Sequence, residues 1–478
     1  MSSSGSQDQL VKHFRKEVKP LSVGQIIAKV QRVQEAIKLF KSDPIGLEPI
    51  NAVVGVLKIK NSDGVKETWI PDVMDRAHQK VSQSKSKVFD YGSAFVDPHL
   101  AINAGNFFIG KENVSKLSDH GYFVSTGISA GGTAGLSHVL NIFNKGYPWV
   151  LAANAWGGYR KIREHLAGFL PSLHTFEILD TQGNLNVQGF GDSLKESLID
   201  EKGATIILNL PYDNPTGLKF SNRAMTELAK EINWFVEGGK EITLVLDTAY
   251  DKFGFEQKES LDNPLEFIHD FMDAIDDKTG SKFKVVIVPS FSKNHASYGL
   301  RMAFPTIITK SEELAKVFPD YIASAARGSY SSASNASINT VKEVLNDPDS
   351  VKEVEEYLLE ASKLLSNRLE KLIVTFEKFA EKHNLQFKQK DNSSNLYEIQ
   401  KSDKTIFELV IPQGGFFATM RANTLEEANR FNQYLEDNLR LYMTNFDRYV
   451  RIPICSLTDQ DEMNVVVERL FEAMKTLY

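Results

Sequence analysis

The sequence predicts an α/β protein with a mostly parallel central sheet in a large domain and a smaller α+β domain toward the C-terminus. Three observations carry that expectation. The middle third alternates β-rich apolar runs with helical stretches, as strands do when helices cover both faces of their sheet. Past about Ser350 the texture changes to one long amphipathic stretch followed by apolar runs around a Gly-Gly turn. The chain of 478 residues, 42% hydrophobic and 24% charged, is ample for a large core in two or three domains.

Taken in order, residues 1–9 are polar and Ser-rich and read as a disordered tail. Ile26, Ile27, Val30, Val33, Ile37 and Phe40 follow helical spacing over 23–40, and Asp43-Pro44 breaks that helix. "PWVLAAN" (148–154), "ATIILNL" (204–210), "ITLVLD" (242–247) and "KVVIVPS" (284–290) read as buried strands. Residues 221–236 form a helix with Ser221 as N-cap and Gly238-Gly239 as its stop. A long helix spans 350–383, a polar loop covers "KQKDNSSN" (388–395), and "IFELVIPQGGFFATM" (406–420) reads as strand, turn and strand. No internal repeat or extended heptad run is present.

Composition narrows the function. The 55 Lys+Arg against 62 Asp+Glu leave a net charge of −7 without a basic block, which argues against a nucleic-acid partner. No stretch approaches the roughly 18 apolar residues of a membrane helix, and the N-terminus lacks an apolar signal core. The single cysteine, Cys455, cannot form an intramolecular disulfide and fits a reducing compartment, so a cytoplasmic location is expected.

Chemistry is suggested where strands end, the edge at which open α/β sheets bind ligands. "SFSKN" places Lys293 just after the fourth strand, where it is either a solvated end-cap or a nucleophile. "SAGGTAG" opens a helix with Gly131, Gly132 and Thr133, whose free N–H groups suit an anion. "PYDNPTG" is a turn containing Asn214, and "LDTAYDKFGF" ends a strand on Asp247. Singly, these are ordinary turn and cap chemistry. Together they suit a carbonyl cofactor with an anionic phosphate. Lys293 would form a Schiff base, Ser290 and Arg301 would hold the phosphate, and Asp247 would pair with a ring pyridinium. Asn214 and Tyr250 would donate to a ring oxygen, with Trp156 stacked on the ring.

In these segments the chain resembles the aspartate aminotransferase family, pyridoxal 5'-phosphate (PLP) enzymes of fold type I, over roughly residues 50–458. The resemblance implies Lys293 as the Schiff-base lysine, with Gly131, Gly132, Thr133, Ser290, Ser292 and Arg301 at the phosphate. It implies Trp156, Asn214, Asp247 and Tyr250 at the ring. "RYVRIPI" puts Arg451 where the family clamps the substrate α-carboxylate, near Gly55, and "ARGSYSS" aligns Arg327 with the arginine for a distal carboxylate. Tyr91 and Arg327 would come from the neighbouring subunit of a homodimer with shared active sites. The implied architecture is an N-terminal segment 1–65 belonging to a small domain, a large cofactor domain 66–345 and a C-terminal small domain 346–478.

The expected reaction moves an amino group between a dicarboxylic L-amino acid (aspartate or glutamate, with aromatic ones accepted through the same pocket) and a 2-oxo acid such as 2-oxoglutarate. The alternatives are another PLP reaction on this fold, β-elimination or decarboxylation, and a non-catalytic binding protein. Two departures from the family pattern stand out. Tyr159 replaces the histidine that buttresses the ring-nitrogen carboxylate, and a second histidine is missing ahead of "NPTG". Phe416 is expected near the substrate. His138 and His165 are expected to pack or face solvent, and Cys455 to be a small core residue.

Overall fold

The computed structural model describes residues 23–40, 45–166, 168, 170–256, 261, 265–391 and 394–478, leaving aside the side chains of 23–27. The expected tail at 1–9 and the Asp43-Pro44 break lie outside the described residues. Two seven-stranded sheets organise the fold. The first runs in the order Phe123–Thr126, Thr306–Thr309, Phe283–Val288, Glu241–Asp247, Gly203–Asn209, Trp149–Ala152, Leu173–Phe176. Thr306–Thr309 pairs antiparallel with both its neighbours, and the other pairings are parallel.

All four expected strands are present, and alternation assigns their faces. Ile242, Leu244 and Leu246 enter one apolar layer with Ala204, Ile206 and Leu208, while Val245, Ile207 and Val286 enter the opposite one. Because both faces are buried, these runs lack polar alternation, which is why they read as continuous apolar stretches. The helix Asn222–Glu237 starts on Ser221, whose side chain accepts from Ala224 N, and stops at Gly238.

The second sheet runs Ile50–Ala52, Leu441–Phe446, Tyr449–Ile452, Ala418–Ala422, Lys404–Val410, Leu396–Lys401, Gln386–Gln389. Its first pair is parallel and the rest antiparallel, so a strand from near the N-terminus joins a sheet of C-terminal strands. The helix Pro348–Lys382 buries Leu365, Leu372 and Phe376 in the same apolar cluster as this sheet, and Phe376 meets Phe387 of the edge strand at 5.7 Å. The polar run at 388–395 differs from expectation. Lys388 and Gln389 end a strand that pairs antiparallel with Leu396–Lys401, so the connecting turn is shorter than a loop over the whole run. The hydrogen bonds of an exposed edge strand need no apolar side chains, and that run therefore lacked a strand signature. In the N-terminal helix Val23–Leu39, Val33 is buried with Val53 and Tyr442, but Ile37 is exposed.

Candidate active site

Register sets the site. Asn209 and Asp247 are paired residues at the C-terminal ends of adjacent parallel strands, and the next strand ends at Val288. Two residues on, Ser290 caps a single helical turn, Phe291–Asn294, that carries Lys293. A cavity of about 280 Å³ opens at this edge. Gly132, Thr133, Trp156, Asn214, Asp247, Tyr250, Ser290, Ser292, Lys293 and Arg301 line it, and Gly55 and Arg451 reach it from the second sheet's side.

Lys293 is buried. Its Nζ donates to the Gly55 carbonyl at 2.5 Å and faces the rings of Tyr298, Phe416 and Tyr250. Burial above all, helped by the charges of Arg451 and Arg301, lowers its pKa to about 8. A neutral amine is therefore accessible near physiological pH.

Asp247 is buried too, and burial raises its pKa. Two donors hold the charged form: Tyr159 Oη at 2.7 Å from Oδ2 and Ala249 N at 3.2 Å from Oδ1. Burial pushes the Tyr159 phenol well above its ordinary range, so it remains a neutral donor. Asn209 opens the segment ahead of the Asn214 turn in which the second family histidine is missing. Its Nδ2 donates to the Asp247 carbonyl and its Oδ1 accepts from Asn214 N, each at 2.8 Å, so one amide ties the strand end to the turn.

The anion-binding side is built from backbone and cation. The helix Gly132–Ile142 starts at the cavity, and Gly131 before it has φ +89°. A Cβ there would lie 2.5 Å from Arg301 Nη2, so only glycine lets that guanidinium cross the helix start. Arg301 holds a left-handed φ of 55° and donates from Nη1 to Ser292 Oγ and the Tyr298 carbonyl, both at 3.0 Å. Ser290 Oγ in turn accepts from Ser292 N at 3.2 Å.

Arg451 enters from the opposite wall. Its guanidinium stacks on Phe417 at 4.0 Å and donates to the Val53 carbonyl at 2.5 Å. Asn214 Oδ1 is 3.4 Å from its Nη1, and Nε is buried without a partner. Among the described residues no carboxylate pairs with it. Burying an uncompensated cation is costly, so this wall suits an incoming carboxylate.

Not every expected residue meets the cavity. Gly131 lies just behind the lining. Tyr91 is 91% exposed, and Arg327, also exposed, donates to Ser331 Oγ at 3.0 Å. The expected aromatic, Phe416, lies under Lys293 Nζ and packs against Tyr250 and Phe253, while its neighbour Phe417 lines the cavity. Adjacent residues project to opposite sides of an extended chain, so the two rings meet the site from different directions.

Sequence reasoning missed Asn209, Tyr298 and Phe417. Asn209 had a signal, being a polar residue near the end of an apolar strand. Tyr298, which accepts from Leu57 N at 2.9 Å, had none. His138 is buried and stacked on Tyr330, His165 caps a helix, and Cys455 is buried with its thiol pushed up to about 11.

The site fits a pyridine aldehyde carrying a phosphate. A buried carboxylate without a cationic hydrogen-bond partner faces a near-neutral lysine across the cavity, and the glycine-relieved helix start with Arg301 forms an anion cradle at its edge.

Residues 60–470 match the family model described as aminotransferase class I and II. Among solved structures, an aminotransferase from Anaerococcus prevotii is 22% identical with a TM-score of 0.71, covering 97% of this chain and 98% of its own. Aspartate aminotransferase from the Saccharomyces cerevisiae cytoplasm is 16% identical with a TM-score of 0.71 over 97% and 98%. An aromatic-amino-acid aminotransferase from Burkholderia pseudomallei, covalently bound to pyridoxal phosphate, is 18% identical with a TM-score of 0.68 over 99% and 100%. No curated protein sequence matches the chain.

Proposed function

The chain belongs to the class I and II aminotransferases, PLP-dependent transferases of fold type I, and we propose that it transfers amino groups between a dicarboxylic L-amino acid and a 2-oxo acid. Aspartate or glutamate is the proposed donor, 2-oxoglutarate a proposed acceptor, and aromatic amino acids are alternative donors. The observation that carries this reading is the convergence on one cavity of Lys293, Asp247 and Arg451 from three distant segments.

In this reading Gly132, Thr133, Ser290, Ser292 and Arg301 hold the phosphate, with Gly131 admitting the Arg301 guanidinium. Asp247 faces the ring nitrogen, Asn214 and Tyr250 the ring oxygen, and Trp156 the ring plane. PLP, when bound, supplies a carbonyl that captures amines and a ring that accepts the electron pair left at the substrate Cα. Arg451 orients the substrate by its α-carboxylate beside Gly55. Lys293 Nζ, close to neutral, would take the Cα proton and hold it as an ammonium for delivery to a different atom. Asp247 stays ionised through the hydrogen bonds from Tyr159 and Ala249.

A homodimer is proposed as the working form. Tyr91 at 91% and Phe89 at 83% exposure, with Phe95 and Ile102, give this chain apolar surface that a second copy would cover. In that assembly Tyr91 would meet the phosphate, and Arg327 would read the substrate's distal carboxylate, each in the neighbour's site. The domain division at 65/66 and 345/346 is part of the same proposal, as is a cytoplasmic setting. Among the described residues no helix is long and apolar enough to cross a membrane.

The test is an absorbance titration of the PLP-loaded protein with L-aspartate or L-glutamate, followed by 2-oxoglutarate or oxaloacetate. Loss of the cofactor's long-wavelength band with the amino acid, and its return with the 2-oxo acid, is expected. Release of ammonia or carbon dioxide without consumption of the 2-oxo acid would instead establish elimination or decarboxylation.

A further inference from the structure

Outside this site, two histidines and an aspartate from distant parts of the chain meet at the surface. His120 caps the C-terminus of the helix Lys111–Asp119. His269 and Asp273 lie on the short helix Ile268–Asp273. Asn113 on the first helix donates to the Leu265 carbonyl at 2.8 Å and fixes the two segments side by side. His120 Nδ1 lies 2.5 Å from Asp273 Oδ2, and the His120 and His269 rings meet edge to face at 5.3 Å.

We propose that His120, His269 and Asp273 form a binding site for a divalent transition-metal ion, with zinc the best match. One ligand atom from each residue lies within 4.8 Å of the other two. An ion about 2.0–2.2 Å from nitrogen and oxygen ligands needs them about 3.3–4.2 Å apart, so the His120–Asp273 pair opens from 2.5 Å and any wider separation closes slightly. The three side chains are 46%, 19% and 36% exposed, so rotamer adjustment supplies the difference without moving backbone. Two imidazoles and one carboxylate are a zinc donor set, with water completing the shell.

Asp270 Oδ1 stands 3.2 Å from His269 Nδ1, the carboxylate–histidine arrangement that orients metal-binding rings. A plain His120–Asp273 pair would give His269 and Asp270 no part. The metal reading uses all four residues, and it staples the helix that leads into the edge strand Phe123–Thr126 to the helix beside it.

The test uses full-length protein without a polyhistidine tag, stripped with a chelator and titrated with zinc chloride in a non-coordinating buffer near neutral pH. Expected are about one equivalent bound at micromolar affinity or better and a rise of a few degrees in Tm at saturation. His120→Ala, His269→Ala and Asp273→Asn should each weaken binding by about tenfold or more while leaving transamination unchanged. Cobalt(II) titration of the unaltered protein, which should give a visible ligand-field band, makes the result independent of whether any variant folds. Absence of stoichiometric zinc uptake, absence of the cobalt band, or a folded His269→Ala variant that binds like the parent overturns the proposal.

Discussion

Replacing Tyr159 by phenylalanine removes one oxygen and leaves the rest of the ring, including its edge-to-face contact with Trp156 at 5.4 Å. The lost group is the 2.7 Å donor to Asp247 Oδ2. A hydrogen bond to a charged group is worth about 1.5–3 kcal/mol, and one pKa unit corresponds to about 1.4 kcal/mol. Burial already raises the Asp247 pKa and the Tyr159 bond opposes that rise, so Tyr159→Phe should lift it further. The carboxylate then pairs less strongly with a ring nitrogen, and kcat should fall roughly 10- to 150-fold. KM for the amino acid should hold within about twofold, because Arg451 is untouched. Tyr159→His, which returns a ring N–H donor to this position, should recover part of the loss. Steady-state kinetics with a melting curve for each variant is the assay. A Tyr159→Phe enzyme with parental Tm and kcat within about twofold of the parent would refute the claim that this phenol holds Asp247 in its charged form.

Arg451→Lys keeps the charge but loses the planar fork and the stacking on Phe417, so kcat/KM for the amino acid should fall about 30- to 100-fold with PLP retained. Loss of PLP binding together with activity would show that Arg451 serves the cofactor instead. Gly55→Ala places a Cβ 2.3 Å from Phe417 Cζ, and Phe417 carries the Arg451 guanidinium. The ring must move, so KM should rise several-fold in steady-state assays with kcat less affected, and an unchanged KM would contradict the contact. The lowered Lys293 pKa makes its neutral amine appear at lower pH than that of an ordinary lysine. In protein freed of PLP, labelling of Lys293 by an amine-reactive reagent should reach half its maximal rate at about pH 8. A midpoint near the ordinary lysine value of about 10.4 would contradict the burial argument. Because burial disfavours the charged form in the folded state, the penalty is full below about pH 8 and is relieved as pH rises toward the unfolded value.

What the sequence made legible follows from where each signal resides. Lys293, Asp247 and Asn214 sit at strand ends or in turns, where a polar residue after an apolar run is visible without coordinates. The buried strands were legible for the same reason, since two covered faces leave no polar alternation to obscure them. The edge strand Gln386–Gln389 was not, because an exposed edge is held by backbone pairing to which its side chains give no clue. The choice between Phe416 and Phe417 depends on which way one peptide turns after Gly415, whose φ is +82°, and composition is silent on that. Tyr159 shows the limit most sharply. As a departure from the family's histidine it raised doubt about how the ring-nitrogen carboxylate is held. Its hydroxyl nevertheless donates to the same carboxylate, while Asn209 ties the main chain of Asp247 to the turn that carries Asn214. The Tyr159 substitution, which looks like lost chemistry, therefore preserves the same demand, a buried carboxylate kept charged, with a neutral donor whose charge does not change with pH near neutrality. An imidazole has an unperturbed pKa of about 6.5, so a phenol in its place removes a titrating group from beside Asp247 while keeping a hydrogen bond to its carboxylate.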